Sequence, residues 1–238
     1  MGLDSNLDRF ARYRPTSPDP DDPGRVLAMP LVLRIEKTAP PAKGPLLEAA
    51  ARATVLACLD PRAAPGGEWA EAFDAWCAGR IRKIARRARG AQWRAVEELP
   101  GVTVECAGAQ ARAFVPGPVG AVDRRLTRLQ IGGTEVAGEL ADDEPGGLVL
   151  WVAPQPPMTV GKLAAQVSHA SMLGAPLIPS DRLEPWYADG CPLSVRRADA
   201  SRWAALLAEE AAGRAVAVRD AGYTEVAPGS CTVIASFG

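Results

Sequence analysis

Asp220 and Thr224 lie four residues apart in a polar stretch near the carboxyl end of the chain, residues 220–232, DAGYTEVAPGSCT. Short apolar runs on both sides predict one strand before this stretch and another after it, so the stretch is a loop. Asp220 follows the first strand directly, where a carboxylate has no packing role. A carboxylate and a hydroxyl in such a loop could orient a water or a substrate. An ordinary hairpin connection is the alternative.

A second polar pattern precedes this loop in residues 159–173, TVGKLAAQVSHASML. Thr159 as N-cap and Gly174 as a stop signal predict a helix between them. At about 100° per residue, Lys162, Gln166 and His169 share one face beside the apolar face. A lysine in the first turn opposes the helix dipole, yet beside free backbone N–H groups it suits an anion. The stripe is therefore a candidate site, with a solvated polar face as the alternative.

Together the two stretches resemble the type-2 peptidyl-tRNA hydrolase family. Its members have a G-K-G-K-x-A-A-Q-x-x-H-A helix opening and a D-A-G-x-T-x-x-x-P-G-S-x-T loop, which here correspond to 159–170 and 220–232. The resemblance covers Gly147 to Gly238. It implies a mixed four-stranded sheet with helices on both faces. It also implies metal-independent cleavage, without a cofactor, of the ester that joins a peptide to the 3′ end of tRNA, so that tRNA is the expected partner.

The types of the polar residues suggest their roles in the hydrolysis of such an ester. Asp220 would orient or deprotonate a water, and Thr224 would position that water or the substrate carbonyl. Lys162 would stabilise the oxyanion or hold the terminal phosphate of tRNA. His169 is either a base or a hydrogen-bonded residue that braces the site, and we favour the second role. The remaining candidates for substrate binding in this half are Gln166 and the backbone donors of Gly229 and Ser230.

The amino-terminal half repeats the pattern of the carboxyl-terminal half. Leu31–Ile35 matches Leu148–Val152 at an offset of 117 residues, and the apolar positions of the following helix keep that offset. Two tryptophans, Trp76 and Trp93, match Trp186 and Trp203 at an offset of 110. We therefore predict an α/β protein with two tandem copies of one mixed four-stranded sheet, covered by helices on both faces. The copies would form an intrachain pseudo-dimer, and the chain would be a monomer.

The first copy keeps the apolar face of the helix and loses the polar stripe. Pro45, Ala49 and Arg52 stand at the positions of Lys162, Gln166 and His169. In the later segments, similar short motifs pair further residues of the two copies: Cys106 with Asp220, Gln110 with Thr224, Pro118 with Ser230, Pro116–Gly117 with Pro228–Gly229, and Leu126–Thr127 with Cys231–Thr232. Packing needs the shared apolar set, whereas only chemistry or binding needs the polar set. We therefore expect one active site per chain, in the second copy.

A basic run from Arg80 to Arg94 distinguishes the first copy. It holds seven basic residues and no acidic ones. With tRNA as the suspected substrate, the run is a candidate for phosphate binding, and a solvated basic face is the equal alternative. The candidate substrate-binding residues in it are Arg80, Arg82, Lys83, Arg86 and Arg87.

Composition limits the other function classes. The 238 residues carry a net charge of −1, so overall basicity does not indicate nucleic-acid binding. Five scattered cysteines without a C-x-x-C pair predict reduced thiols and a cytoplasmic protein. A single histidine argues against a histidine-rich metal site. No apolar run reaches the length of a membrane span, and no signal peptide is visible.

The predicted domain boundaries follow from composition. Residues 1–25, rich in Asp, Pro, Ser and Arg from 4 to 24, predict a disordered tail. The amino-terminal copy would span 26–133, and an acidic linker 134–146 ending near Pro-Gly-Gly would connect it to the catalytic copy at 147–238.

The leading hypothesis is a duplicated hydrolase with one active unit. Val160 stands where the family has its first lysine, which motivates an alternative: a weak or inactive homologue that binds tRNA or a protein partner. Hydrolysis of another activated ester, or of an acyl-aminoacyl-tRNA derivative, is a third and weaker possibility.

Overall fold

The computed structural model describes residues 2–11, 13–132, 135–222 and 224–238. The fold contains two mixed β-sheets. The strands of the first sheet are β1 (Leu27–Arg34), β2 (Arg82–Ala88), β3 (Gly101–Cys106), β4 (Ala109–Phe114) and the short β5 (Gly117–Pro118). Their order is β2-β1-β4-β3, and β5 pairs with the start of β1. β1 runs parallel to β2 and antiparallel to β4.

The second sheet repeats this order. Its strands are β6 (Leu148–Val152), β7 (Leu193–Arg197), β8 (Ala215–Arg219) and β9 (Cys231–Phe237). They are arranged as β7-β6-β9-β8, with β6 parallel to β7 and antiparallel to β9. The prediction of an α/β fold with two mixed sheets is confirmed, although β5 makes the first sheet five-stranded rather than four-stranded.

Helices cover both faces of each sheet. The helices are α1 (Gly2–Ala11), α2 (Lys43–Leu59), α3 (Ala70–Ala78), α4 (Gly90–Glu97), α5 (Arg124–Thr127), α6 (Val160–Gly174), α7 (Ser180–Ala188) and α8 (Ala200–Ala211). Trp93 of α4 packs on the outer face of the first sheet, and Leu206 of α8 packs on the outer face of the second. The inner faces, with α2 and α6, share one hydrophobic core. No helix in the described ranges is long and apolar enough to cross a membrane.

Side-chain contacts recur at the offset of 110 residues. Trp76 Nε1 donates to the carbonyl of Arg82 at 3.0 Å, and Trp186 Nε1 donates to the carbonyl of Pro192 at 2.7 Å. Just before β2 and β7, Ile81 and Cys191 have φ angles of 44° and 57°, a region that side chains other than glycine rarely adopt. The two halves therefore build the approach to β2 and β7 in the same way.

The hairpin of the first half departs from the residue pairing predicted above. Its strands β3 and β4 are joined by Ala107 and Gly108 alone, both with positive φ, as a two-residue hairpin turn requires. In the second half, eleven residues separate β8 from β9. Strand register therefore pairs Cys106 with Val218 and Gln110 with Ile234.

The pairings of Cys106 with Asp220, Gln110 with Thr224 and Pro118 with Ser230 were accordingly wrong. Pro116–Gly117 and Leu126–Thr127 likewise follow β4 and do not correspond to Pro228–Gly229 and Cys231–Thr232. Matching by dipeptides misplaced them, because the shortened turn changes the offset. The first half has no counterpart of the polar loop among its described residues.

The helices α2 and α6 pack directly against each other. Small side chains let the backbones approach, and hydroxyls of α6 bond to carbonyls of α2: Ser168 Oγ to Ala50 at 3.2 Å and Ser171 Oγ to Ala51 at 2.8 Å. Each helix also contacts a strand of the other half, α2 with β7 and α6 with β2. Glu48 of α2, for example, accepts from the backbone N–H of Val195 at 3.1 Å.

The segments before and between the halves are more ordered than the sequence suggests. Residues 2–11 of the predicted disordered tail form α1, because its Phe10 and Asn6 are buried against the core and Asn6 Nδ2 donates to the carbonyl of Asp60 at 3.1 Å. The predicted boundary of the linker, residues 133 and 134, lies outside the described residues. Beyond it, Val136 is buried and the Ala141 carbonyl accepts from Arg197 N at 2.9 Å.

Candidate active site in a cleft between the two halves

A cleft of about 1030 Å³ opens where α6 and β8 face the first half of the chain. One wall consists of α6 and the loop after β8 and includes Lys162, Gln166 and Asp220. The first half contributes residues 80–85 at the start of β2, and Phe10 of α1 also lines the cleft. The cleft therefore combines the predicted polar stripe with the basic run of the other half.

Lys162, Asp220 and Thr224 form one hydrogen-bonded cluster. Lys162 Nζ lies 2.5 Å from Asp220 Oδ2 and 2.9 Å from Thr224 Oγ1. The Lys162 and Asp220 side chains are 11% and 9% exposed, so little water screens the pair. The structure thus brings together the three residues that were predicted to be catalytic.

Gln166 orients the Asp220 carboxylate from the next turn of α6. Its Nε2 donates to Asp220 Oδ2 at 2.8 Å, while its Oε1 accepts from the buried Thr232 hydroxyl at 2.6 Å. Thr232 therefore fixes which end of the amide faces Asp220. This role of Thr232 was not predicted from the sequence, although Thr232 is the last residue of the loop motif.

The turn after Asp220 holds the other carboxylate oxygen. The backbone N–H of Gly222 donates to Asp220 Oδ1 at 2.8 Å. Gly222 has a φ of +79°, and a Cβ at this position would clash with the ring of Pro228, so only glycine fits. A carboxylate has about four acceptor positions. With three donors around it, Asp220 keeps about one acceptor position for a water.

A carboxylate from the same loop secures the start of α6. Glu225 accepts from the Thr159 backbone N–H at 2.8 Å and from the Thr159 hydroxyl at 2.6 Å, and Thr159 Oγ1 accepts from Lys162 N at 3.3 Å. These contacts satisfy backbone donors of the first turn, and the negative charge of Glu225 interacts favourably with the dipole of α6. The chain of contacts ties the loop to the helix end that carries Lys162. Sequence reasoning missed Glu225, because its partner is remote in the chain.

Gly229 and Ser230 have a structural role in this arrangement. The Gly229 N–H donates to the Asp220 carbonyl at 2.7 Å, and the Ser230 N–H donates to the Ala227 carbonyl at 3.1 Å. Their backbone donors are occupied, so the prediction that these N–H groups are free to bind substrate was wrong. Instead they close the base of the loop and place Asp220.

His169 contacts the other half of the chain rather than the Asp220 cluster. Its Nδ1 lies 3.0 Å from Lys83 Nζ. Burial, followed by the nearby Lys83 and Lys162, lowers the pKa of His169 well below its usual value. An ammonium group can only donate, so a charged Lys83 requires Nδ1 to accept and leaves the proton on Nε2. This favours the predicted bracing role over that of a base.

We expect the imidazole of His169 to stay neutral as the pH falls from 8 to 6. An unfolded histidine takes up a proton near pH 6.5. The folded pKa is lower, so His169 should make the free energy of unfolding decrease as the pH falls below that value. Because His169 is the chain's single histidine, imidazole NMR gives one set of signals. A titration midpoint at or above pH 6.5 in the folded protein would contradict the expectation.

The basic run of the first half divides between two environments. Arg80 and Arg82 line the cleft, and both pair with Asp19, at 3.4 and 2.7 Å. Lys83 lines the cleft as well. Arg86 and Arg87 do not. Arg86 is 7% exposed on β2, and Arg87 donates to the Gln130 side chain. The structure therefore does not bring these two predicted binding residues to the site.

Comparisons with known proteins match the second half of the chain. The family model for peptidyl-tRNA hydrolase PTH2 matches residues 147–237. A peptidyl-tRNA hydrolase of Haloquadratum walsbyi (strain DSM 16790 / HBSQ001) is 37% identical over 81 residues, which cover 33% of this chain and 72% of the relative. The matched region contains α6, the loop after β8 and the whole second sheet.

Proposed function

Because the chain belongs to the peptidyl-tRNA hydrolase PTH2 family, we propose that it hydrolyses the ester between a peptidyl or N-acyl-aminoacyl group and the 3′ end of tRNA. The single observation that carries this proposal is the Asp220 carboxylate, which Lys162 and Gln166 hold in a cleft large enough for a nucleotide and an acyl group. We place the reaction in the cytoplasm, where tRNA is in use.

Asp220 and its donors support a water-mediated mechanism. The free acceptor position of Asp220 would orient a water and take its proton as the water attacks the ester carbonyl. When the bond to the 3′ oxygen of tRNA breaks, that oxygen would take the proton back and leave as a hydroxyl. Lys162 and the Thr224 hydroxyl, 2.9 Å apart, would donate to the developing oxyanion. Gln166 would keep the carboxylate in place. Lys162 supplies the positive charge in this scheme, so the proposal needs no metal ion and no cofactor.

The first half would contribute to tRNA binding. Arg80, Arg82 and Lys83 also line the cleft, where cations suit a polyanionic substrate. Asp19 now occupies the two arginines, so phosphate groups would compete with its carboxylate. Arg86 and Arg87 have no part in the proposal.

We further propose one active site per chain and an intrachain pseudo-dimer. The first half has Pro45, Ala49 and Arg52 in place of the polar stripe, and Ala107–Gly108 in place of the loop. The reciprocal contacts of α2 with β7 and of α6 with β2 resemble the two-fold exchange in symmetric dimers.

We therefore expect the protein to be a monomer in solution, because the surface that a dimer would bury is already covered. Size-exclusion chromatography with light scattering measures the mass directly. A mass of two chains at micromolar concentration would contradict the internal pseudo-dimer.

A binding module is the second candidate function. Val160, at the start of α6, removes one positive charge relative to the family motif, which would weaken the hold on a polyanionic substrate. On this view the cleft would bind a tRNA end or a protein partner without cleaving it. Hydrolysis of a different activated ester is the remaining possibility.

Release of labelled N-acetyl-aminoacyl groups from tRNA by the purified chain tests the proposal. Turnover above the rate of spontaneous ester hydrolysis supports the hydrolase. An inert protein that retards tRNA in a gel supports the binding module. A protein that does neither, but cleaves small activated esters, supports the third possibility.

A further inference from the structure

Lys83 is a cation on the cleft wall whose contacts include no carboxylate. Its Nζ lies 3.0 Å from His169 Nδ1, 3.1 Å from Met172 Sδ and 4.8 Å from the centre of the Trp76 ring. No Asp or Glu lies within ion-pair distance of Nζ in the part of the chain that the structure describes. A partly buried cation without a counter-ion has a free-energy cost, and this cost falls when a ligand supplies the negative charge.

The neighbouring cations Lys162 and Arg82, unlike Lys83, are paired with carboxylates. Lys162 is paired with Asp220 at 2.5 Å, and Arg82 is held by both oxygens of Asp19 at 2.7 Å each. An anion that binds next to Lys162 would face the Asp220 carboxylate as well. An anion next to Lys83 meets the ammonium group, the His169 ring and the Ile81 carbonyl, which accepts from Nζ at 3.4 Å.

The spacing of the two lysines matches a nucleotide. His169, which contacts Lys83, lies seven residues after Lys162 on α6, a rise of about 10 Å along the helix. Gln166 lies between them on the same face. Gln166, which contacts Asp220, lies three residues before His169, a rise of about 5 Å, so a ligand that reaches from the Asp220 cluster to Lys83 must span about 5 to 10 Å along the helix. A terminal nucleoside with the phosphate on its 5′ side is of this size.

We propose that Lys83 binds the phosphate on the 5′ side of the 3′-terminal nucleoside of tRNA, with His169 as the residue that positions its ammonium group. The inference rests on the proposed function, and it resolves the two roles suggested for Lys162 in favour of the oxyanion. Lys83 would thus be a contribution of the first half of the chain, which has no catalytic cluster of its own, to substrate binding. A charge-assisted hydrogen bond to phosphate is among the stronger polar contacts in proteins.

The surroundings of Lys83 give the subsite a pH dependence. Burial lowers the pKa of Lys83 to about 7, and the titratable or charged groups near it are the Cys58 and Cys77 thiols, the His169 imidazole and, beyond that ring, Lys162. Below pH 7 the amine is charged, and above it the charge is lost. Affinity for a phosphate should therefore fall as the pH rises from 7 to 9.

Binding of 5′-AMP and of adenosine to the full-length chain tests the subsite without any hydrolysis. These two probes differ only in the phosphate. By NMR or calorimetry at low salt and pH 7, we expect the wild type to prefer 5′-AMP by about tenfold and Lys83→Met to bind both probes equally. Lys83→Arg should keep the preference at both pH 7 and pH 9, because arginine stays charged.

Arg52→Met is the matched control. Arg52 stands at the position of His169 in the first half and bonds across the two halves, from Nε to the Gly190 carbonyl at 2.9 Å, without lining the cleft. A purely structural role for Lys83 predicts that both methionine variants change binding alike. The proposal predicts that Arg52→Met keeps the tenfold preference.

The outcomes separate this inference from the proposed function. A wild type that hydrolyses the tRNA ester but does not distinguish the probes overturns the subsite alone, as does a preference that survives in Lys83→Met. An inert wild type with a Lys83-dependent preference overturns the hydrolase and keeps the subsite. If Lys83→Met fails to fold, the pH dependence of the preference for 5′-AMP decides. A wild-type preference that stays constant from pH 7 to 9 overturns the inference. A wild-type preference that falls over this range, while the preference of Lys83→Arg stays constant, supports it.

Discussion

The Asp220→Asn variant is expected to hydrolyse N-acetyl-aminoacyl-tRNA about a thousandfold more slowly than the wild type, the middle of the range for loss of a positioned base. Asparagine fills the same volume, and its Oδ1 can still accept from Gly222 N, which bonds to Asp220 Oδ1 at 2.8 Å, while its Nδ2 replaces the oxygen that Gln166 contacts. The substitution therefore leaves the loop in place. It removes the negative charge that would take a proton from the attacking water.

Initial rates of acyl release at saturating substrate measure this effect, with circular dichroism as a check on folding. Glu210→Gln is the matched control, because it also converts a carboxylate to an amide in the second half. Glu210 pairs with Arg219 at 3.2 Å and does not itself line the cleft. Its rate should stay within twofold of the wild type. An Asp220→Asn rate within tenfold of the wild type would contradict the assignment of Asp220 as the base.

Lys162→Met should destabilise the fold by about 3 kcal/mol, because it leaves the Asp220 carboxylate without its cation in a site that is about nine-tenths buried. Methionine retains most of the side-chain volume, so the effect arises from charge rather than packing. The double variant Lys162→Met/Asp220→Asn removes both charges. We expect it to recover most of the lost free energy of unfolding, while hydrolysis remains as slow as in Asp220→Asn.

Urea unfolding of the four proteins gives the stabilities, and their cycle gives the coupling between the two residues. If the double variant recovers stability but not the rate of hydrolysis, the structural role of the Lys162–Asp220 ion pair is separate from its role in catalysis. If the effects of the single variants on stability simply add in the double variant, the ion pair does not have the strength proposed here.

Much of the second half could be predicted from its sequence. One strand precedes the polar loop and another follows it, as predicted, and α6 extends one residue beyond its predicted end, to Gly174. These elements are short, regular and bounded by clear stop signals, so local pattern suffices. The proximity of Lys162 and Gln166 to Asp220 was also predictable. Helix periodicity places the first two on one face of α6, and Asp220 directly follows a strand.

Contacts between remote segments could not be predicted. Thr232 and Glu225 owe their roles to α6 and Thr159, more than sixty residues away along the chain. Gly229 and Ser230 were predicted as backbone donors from their place in the loop motif, but only the folded loop shows that their N–H groups are occupied. Arg86 and Lys83 belong to one basic run, yet only Lys83 of the two reaches the cleft, because the cleft lies at the start of β2 and Arg86 is further along the strand.

The first half shows a different limit. Its strand–helix unit was found by comparing the chain with itself, since apolar positions recur at a constant offset. After β3 the comparison was wrong, because the two-residue turn at Ala107–Gly108 replaces an eleven-residue loop. Short dipeptide matches cannot show such a deletion, whereas strand register can.

The packing of α2 against α6 has a consequence for the behaviour of the protein on dilution. Two identical subunits separate when their concentration falls below the dissociation constant, and their stability then depends on how much protein is present. Here the surfaces joined by Ser168 and Ser171 belong to one polypeptide, so each meets the other at an effective concentration set by the connecting segment. A cell that makes very few copies would still contain assembled molecules, and each would carry one complete cleft.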